Sequence, residues 1–349
     1  MKVLFLTDGP QNPAGRFRCE QFFPTFERLG VECHERYAYG HHYNQFAGTP
    51  LSTPYRTFCR LRRAAWTVLS PGYDLLFFQR TAIPVTAFPE LLRTISGTPS
   101  VFDFDDAIYL GGDGNPDRRR DAAFRSAIAL SSWVIAGNTH LAQMAAAPTK
   151  TTVIPTVVDV DALVPPRTPR SGKEIVIGWM GTSSNFVHVR SVLPQVLAAV
   201  RAIPNARFRL VSNRPMPELA SEPRTEFIPW TEARETELLQ SFDIGLMPLL
   251  DAEISRGKCA FKILQYMAVG TAVVASAVGA NVDVLADSRA GLLVPPGSDW
   301  AATLVDLALD RPRREEMGSH GRSLVVDRFS VASVSSRYVE LFERLVSRR

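Results

Sequence analysis

Short apolar runs rich in β-branched residues alternate, over nearly the whole chain, with stretches whose apolar positions recur every three or four residues. That alternation is the pattern of βαβ units stacked into parallel sheets. In the first half it predicts strands at 2–7, 31–37, 74–79, 100–104, 133–137 and 152–154. Helices are predicted between them near 17–29, 54–69, 84–95, 117–130 and 139–146. After Pro155 comes Pro165-Pro166-Arg167-Thr168-Pro169-Arg170-Ser171-Gly172, which supports neither a helix nor a central strand and reads as a linker. A fresh strand at 175–181 then runs through a polar turn into a helix at 186–201, the opening of a nucleotide-binding α/β unit. Strands at 207–211, 226–229, 243–248, 272–275 and 291–294 continue the series, with helices near 232–241, 260–269, 281–286 and 299–309. In the tail, Val334, Tyr338, Leu341, Phe342 and Leu345 make a helical stripe that must pack on something. The expected plan is two tandem domains, 1–158 and 174–328, joined by a linker at 159–173 and followed by a helix within 329–349.

Composition agrees with that plan. The 349 residues, 46% hydrophobic and 21% charged, are enough for two domains at roughly 100–200 residues each. No run reaches the roughly 20 apolar residues of a membrane span, and the opening apolar run is too short for a signal peptide. Cys19, Cys33, Cys59 and Cys259 are far apart with no CxxC, so a reducing cytoplasm is expected rather than a disulfide framework or a zinc knuckle. A net charge of +4 with no basic block alternating with aromatics argues against nucleic acid. Arginine supplies 34 of the 39 basic residues, yet two of the five lysines, Lys258 and Lys262, fall within one five-residue stretch.

That stretch opens a predicted helix. Ile263, Leu264, Met267 and Ala268 form its buried face and Gly270 its stop, which puts Lys258, Lys262 and Gln265 together on the opposite face. Helix N-termini already carry a positive dipole end, so lysines placed there point to a bound phosphate. The competing reading is a solvated face. Gly181-Thr182-Ser183-Ser184, after the first strand of the second half, offers small hydroxyls to a phosphate or sugar at the same sheet edge. Neither GxGxxG nor GxxxxGK[ST] occurs, which weakens dehydrogenase and P-loop readings.

The run Gly257-Lys258-Cys259-Ala260-Phe261-Lys262-Ile263-Leu264-Gln265-Tyr266-Met267-Ala268-Val269-Gly270 resembles the donor-site helix of family 4-type retaining glycosyltransferases, in the bacterial subgroup with a GKxxxKxxQYMAxG pattern. The resemblance implies a GT-B fold: α/β, two Rossmann-like doubly wound parallel-sheet domains with a cleft between them, the terminal helix crossing back onto the first. It implies a nucleotide-diphosphate sugar as co-substrate and retention at the anomeric carbon; no cofactor is expected, and lysines and helix N–H groups at the diphosphate need no bound metal. Donor contacts then fall to Gly181, Thr182, Trp230, Gly257, Lys258, Cys259, Ala260, Lys262 and Gln265. Two departures stand out. The family's E-x7-E glutamates are replaced by Gly257 and Gln265, and its Arg and Lys after the first strand of this domain by Thr182-Ser183-Ser184-Asn185. Lys258 and Lys262 are expected to take over that charge.

In the first half, Asp103, Asp105 and Asp106 gather at a strand end, where something cationic or hydrogen-bonding should face them. By the resemblance Asp105 stands where relatives carry a histidine, so Asp105 and Asp106 are assigned to acceptor hydroxyls, with Asp105 as candidate general base. A capping and turn role competes with this assignment. Gly15 and Arg16, in a long first βα turn, resemble the acceptor-side loop; Arg16 and Arg18 would meet an acidic acceptor, or else are ordinary surface arginines. His41-His42 has no partner motif for a metal. The helix near 54–69 carries Arg56, Arg60 and Arg63 on one side and Phe58, Leu61, Ala65 and Val68 on another. Such a helix can rest on anionic lipid, although a core-facing apolar stripe with a solvated basic face is the simpler reading.

The expected activity is transfer of a sugar to a glycan, lipid-linked or small-molecule acceptor, in the cytoplasm or at the inner membrane surface. Alternatives are a DxD metal-dependent transferase using Asp103 and Asp105, a sugar-nucleotide epimerase, and a non-catalytic nucleotide- or glycan-binding partner of an active enzyme.

Overall fold

A computed structural model describes residues 1–9, 12–39, 46, 49–69, 71–94, 97–166, 174–286 and 288–348. The first twelve elements are β1 (Lys2–Thr7), α1 (Pro13–Arg18), α2 (Phe23–Arg28), β2 (Glu32–Tyr37), α3 (Ser52–Val68), β3 (Leu75–Gln79), α4 (Phe88–Thr94), β4 (Ser100–Phe104), α5 (Arg118–Leu130), β5 (Trp133–Ala136), α6 (Thr139–Ala145) and β6 (Thr151–Val153). Then follow β7 (Ile175–Met180), α7 (Phe186–Ala202), β8 (Ala206–Ser212), β9 (Thr225–Pro229), α8 (Glu235–Gln240), β10 (Ile244–Met247), α9 (Glu253–Arg256), α10 (Phe261–Ala268), β11 (Ala272–Ser276), α11 (Ala280–Leu285), β12 (Leu292–Val294), α12 (Trp300–Leu309), α13 (Arg311–Arg328) and α14 (Val331–Val346). Among the described residues no helix is long and apolar enough to cross a membrane.

Two six-stranded parallel sheets result, in the orders β2-β1-β3-β4-β5-β6 and β12-β11-β10-β7-β8-β9. The chain divides into two compact units: one holds Met1–Val157, Gly257–Cys259 and α14, the other Val158–Arg256 and Ala260–Ser330. Each sheet reverses its strand order once, at β1/β3 in unit 1 and at β7/β10 in unit 2. The crevice beyond the carboxyl ends of the strands at such a point is where doubly wound sheets take ligands.

In unit 1, β3 and β4 are buried along their whole length, as strands covered on both faces must be. Phe5, Phe26 and Phe77 meet Phe342 of α14 at ring centroid distances of 5.8–6.3 Å, and Tyr338 packs edge-on against Phe26 beside them. All five apolar positions read from the tail are buried. In unit 2, β7 and β10 carry glycines because rings lie flat on them. A Cβ on Gly178 would sit 2.2 Å from the Phe242 ring, and one on Gly245 2.5 Å from that of Tyr266. Tyr266 is thereby buried with its hydroxyl accepting from the Met180 N–H at 3.0 Å.

Three expectations need correction. The helix expected near 17–29 is α1 and α2 separated by a short 3-10 turn, and α1 starts early because Asn12 caps it and Pro13 opens it. The sequence periodicity missed α13, whose buried residues are Met317, Gly318, Gly321 and Val325, too few and too small to make a stripe. The apolar stripe of α3 does not face the core: Phe58 and Leu61 are exposed, whereas Cys59, Arg63 and Thr67 are buried.

A buried carboxyl in α4 yields a pH-dependent prediction. Glu90 accepts from the Ala82 N–H at 2.8 Å through one oxygen, and its other oxygen is buried without a partner. Burial pushes its pKa up, against the Ala82 hydrogen bond and the charge of Arg63. A carboxyl whose folded pKa is raised costs stability at higher pH, and the cost disappears as pH falls through the folded value toward the ordinary glutamate range of about 4.3. Glu90→Gln, which keeps the Ala82 acceptor, is therefore expected to raise stability by about 1 kcal/mol at pH 8 and to leave it unchanged near pH 4. Urea midpoints at the two pH values check this; an equal gain at both would reject a charge origin.

Candidate functional site

At the reversal point of unit 2, β7 delivers Gly181 and Thr182 just past its carboxyl end. The Gly181 N–H donates to the Val211 carbonyl at 3.0 Å, so this amide serves the sheet edge. The turn that follows is held by its own side chains: Thr182 and Ser184 hydroxyls are 2.8 Å apart, Asn185 donates to Thr182 Oγ1 at 2.9 Å, and the Ser183 N–H donates to Asn213 at 2.8 Å. Lys262, in the first turn of α10, crosses directly over this corner. Its Nζ lies 5.7 Å from the Trp179 ring centroid, and a Cβ at Gly181 would stand 2.6 Å from its Cε. Glycine at 181 is what lets the lysine stem pass. The turn and this lysine, expected to converge from the sequence, are brought together.

Lys258 is not on the helix. α10 begins only at Phe261, and Ala260 before it adopts a left-handed conformation at φ +53° with no side-chain cap. The expected i, i+4, i+7 face is therefore broken: Lys258 belongs to the stretch grouped with unit 1, and Lys262 to unit 2. Gln265 is corrected as well, since it is only 4% exposed and turns inward to donate to Glu235 at 3.1 Å. α10 packs against α8 and is buried from Ile263 to Ala268, leaving no solvent face at position 265. Glu235 escaped the sequence reading; the missing carboxylate at 265 was the one signal that pointed to a replacement. Trp230 follows β9, exposed, with its backbone N–H donating to the Ser212 carbonyl at 3.0 Å.

Within unit 1, Gly257 and Cys259 are packing residues. A Cβ on Gly257 would lie 2.8 Å from that of Ala107, and the Cys259 thiol donates to the Asp105 carbonyl at 3.2 Å. Burial, with the Asp105 charge adding, pushes that thiol well above its ordinary pKa, so it is not a nucleophile. Asn138 donates to the Lys258 carbonyl at 3.1 Å.

The acidic cluster has found its cations. Asp103 is fully buried against Arg18, whose Nε lies 3.1 Å from Asp103 Oδ2 and whose Nη1 donates to the Ile154 carbonyl at 2.8 Å. Burial works against the Arg18 charge, but the Asp103 carboxylate outweighs it and holds Arg18 firmly protonated. Arg18 is thus a core residue, correcting its expected surface or acceptor role. Asp105 pairs with Arg80 at 2.8 Å, and Asp8 pairs with Arg63 at 2.7 Å. Burial raises the Asp105 pKa, but Arg80 and Arg18 outweigh it, so the carboxyl stays below the usual range and is ionised at neutral pH. Arg80 itself sits at φ +61°, held there between Asp105 and Asp8. Asp106 accepts from the Ala107 N–H at 3.0 Å, the turn role that competed with acceptor binding.

Gly15 is a contact glycine, its Cβ position 2.5 Å from the Gly9 carbonyl oxygen, and it lies in α1 rather than in a loop. The Arg16 guanidinium covers the Phe17 ring at 4.3 Å. His41 and His42 lie outside the described residues.

Residues 174–310 match the family model for glycosyl transferases group 1. Over 90 residues the chain is 36% identical to alpha-maltose-1-phosphate synthase of Mycolicibacterium smegmatis, a stretch covering 24% of this chain and 23% of that protein. The chain thus matches about a quarter of that relative's length. A glycosyltransferase from Rickettsia africae superposes with a TM-score of 0.74 at 13% identity, over 99% of this chain and 98% of the other. HepE of Anabaena, solved in complex with UDP-glucose, gives 0.68 at 17% identity, over 99% and 100%. The chain as a whole therefore has the GT-B fold of two Rossmann-like domains, and its residues 174–310 resemble the glycosyl transferases group 1 family.

Proposed function

We propose that the protein is a glycosyltransferase that moves a sugar from a nucleoside-diphosphate sugar, held by unit 2, to a hydroxyl of an acceptor recognised by unit 1. The observation that carries this reading is Lys262, laid across Gly181 and Trp179 at the β7 strand end beside the reversal of strand order. In the reaction the bond from the anomeric carbon to the diphosphate breaks, the acceptor oxygen bonds to that carbon, and the acceptor proton leaves with the diphosphate. Negative charge grows on the diphosphate as the bond breaks, so a cation already in place stabilises the transition state more than the ground state. Glu235, tied to Gln265, brings back the carboxylate that the family resemblance places at 265 and receives the ribose hydroxyls.

Trp230 offers a ring for the base. Asp105, ionised and anchored by Arg80, orients the acceptor hydroxyl. Retention at the anomeric carbon is carried over from the resemblance; transfer without a metal follows from a lysine at the diphosphate, and Asp103 and Asp105, the DxD pair, are each committed to an arginine, which favours that reading. The acceptor is a glycan, a lipid-linked sugar or a small molecule, and four free thiols suit a cytoplasmic site.

HepE of Anabaena was solved with UDP-glucose, which makes uridine nucleotides the first probes. A ligand at 100 times its Kd is expected to raise the melting temperature by roughly 5–10 °C. A panel of UDP, GDP and dTDP sugars in which none shifts the transition would overturn the donor assignment. Binding without transfer or slow donor hydrolysis would instead favour a non-catalytic partner, the reading supported by Gly257 standing where the family has a glutamate.

A further inference from the structure

α3 is built inside out. Its inward side is Cys59, Arg63 and Thr67, while Phe58, Leu61 and Leu69 are 62%, 59% and 73% exposed. Those three, with Leu51 before them, follow one helical stripe. The inversion has a local cause. The Arg63 guanidinium is inserted among the carbonyls of Leu6, Gln79 and Arg80 and against Asp8, and Thr67 is buried one turn on. These polar contacts decide which side of the helix turns in, and they leave the apolar side in water. α4 packs against α3 and adds exposed Phe88, Leu91 and Leu92. Of the sixteen large apolar side chains exposed among the described residues, eight lie between positions 51 and 92. A concentration of this kind marks an interaction surface rather than ordinary scatter.

Charge selects the occupant. Of the four arginines of α3, Arg63 is buried against Asp8 while Arg56, Arg60 and Arg62 are partly exposed; α3 has no acidic residue, and from 36 to 89 the sequence holds a single carboxylate, Asp74. The Arg62 guanidinium lies 5.8 Å from the Phe58 ring centroid and 4.7 Å from that of Trp66, which puts a cation at the border of the stripe. A second copy of the chain fits poorly, because a two-fold interface would set this basic face against itself. An anionic bilayer surface offers apolar depth to Phe58, Leu61 and Leu69 and phosphates to the arginines beside them. We infer that the outward face of α3 and α4 seats the protein on anionic lipid, lying in the interface without crossing it. The inference is independent of the donor reading, since every residue it uses lies in unit 1.

Full-length protein floated with phosphatidylcholine/phosphatidylglycerol vesicles is expected to bind, to bind phosphatidylcholine vesicles far less, and to be released by salt. Phe58→Ser with Leu61→Ser is expected to weaken anionic-vesicle binding about tenfold or more, and Phe88→Ser with Leu91→Ser to weaken it similarly. Leu309→Ser, at an exposed leucine of unit 2, serves as control and leaves binding unchanged. Circular dichroism and the nucleotide-induced thermal shift should match wild type in every variant, which separates lipid seating from folding and from the donor site. Absence of vesicle binding, or binding that both double variants retain, would overturn the inference. So would a lipid-free dimer that the same substitutions dissolve, since the covering surface would then be a second chain.

Discussion

Arg18→Met is expected to lower the unfolding free energy by about 3–5 kcal/mol, the largest single loss anticipated for this chain. Arg18 and Asp103 are 1% and 0% exposed, so deleting the guanidinium leaves a carboxylate in the core of unit 1 with its main cation gone. The magnitude reflects that stranded charge more than the attraction lost. A double variant, Arg18→Met with Asp103→Leu, separates the two contributions. It removes both charges at similar volume and should recover most of the loss, short of about 1 kcal/mol for the Ile154 carbonyl that Arg18 also serves. Urea denaturation of the two variants and wild type gives the comparison. A single variant within 1 kcal/mol of wild type would mean that the pair is not the support it is taken for.

Lys262→Ala should weaken binding of UDP-glucose roughly 10- to 100-fold, the worth of one charge-assisted hydrogen bond to a phosphate, about 1.5–3 kcal/mol. The loss is expected for UDP and for UDP-glucose alike, and not for uridine, because the lysine is assigned to the diphosphate and not to the base. Calorimetric titration of the three ligands tests this directly. Equal weakening for uridine would point to a collapsed corner at Gly181 and Trp179, and an unchanged affinity for UDP would remove Lys262 from the donor site.

Much of the architecture was readable because buried parallel strands leave a mark in one dimension: a run such as Leu75-Leu76-Phe77-Phe78 has few alternatives. α14 was readable for the same reason, its stripe being wide and aromatic. α13 was not, because two of its four buried residues are glycines and hydropathy does not register a close backbone approach. α3 shows a different limit. Periodicity establishes that a helix has two faces, but the choice of the inward one was made by carbonyls of β1 and β3 that only the folded sheet brings to Arg63.

At the candidate site, Gly181 and Lys262 were legible as a strand-end turn and a lysine-bearing helix start. Lys258 was misplaced because one left-handed residue, Ala260, shifts the helix start past it. The Glu235–Gln265 and Arg80–Asp105 pairs join residues 30 and 25 positions apart, and nothing local in the sequence announces either.

Unit 1 is drawn from both extremes of the chain, and this has a consequence for biosynthesis. Its sheet is complete once residue 153 has been made, yet Phe5, Phe26 and Phe77 wait for Tyr338 and Phe342, which emerge from the ribosome only after the whole of unit 2. At about 5–20 residues per second, that interval is on the order of ten to forty seconds. A nascent aromatic surface stays uncovered for that time and is open to chaperones and to aggregation. The half that is translated first is the half that finishes folding last.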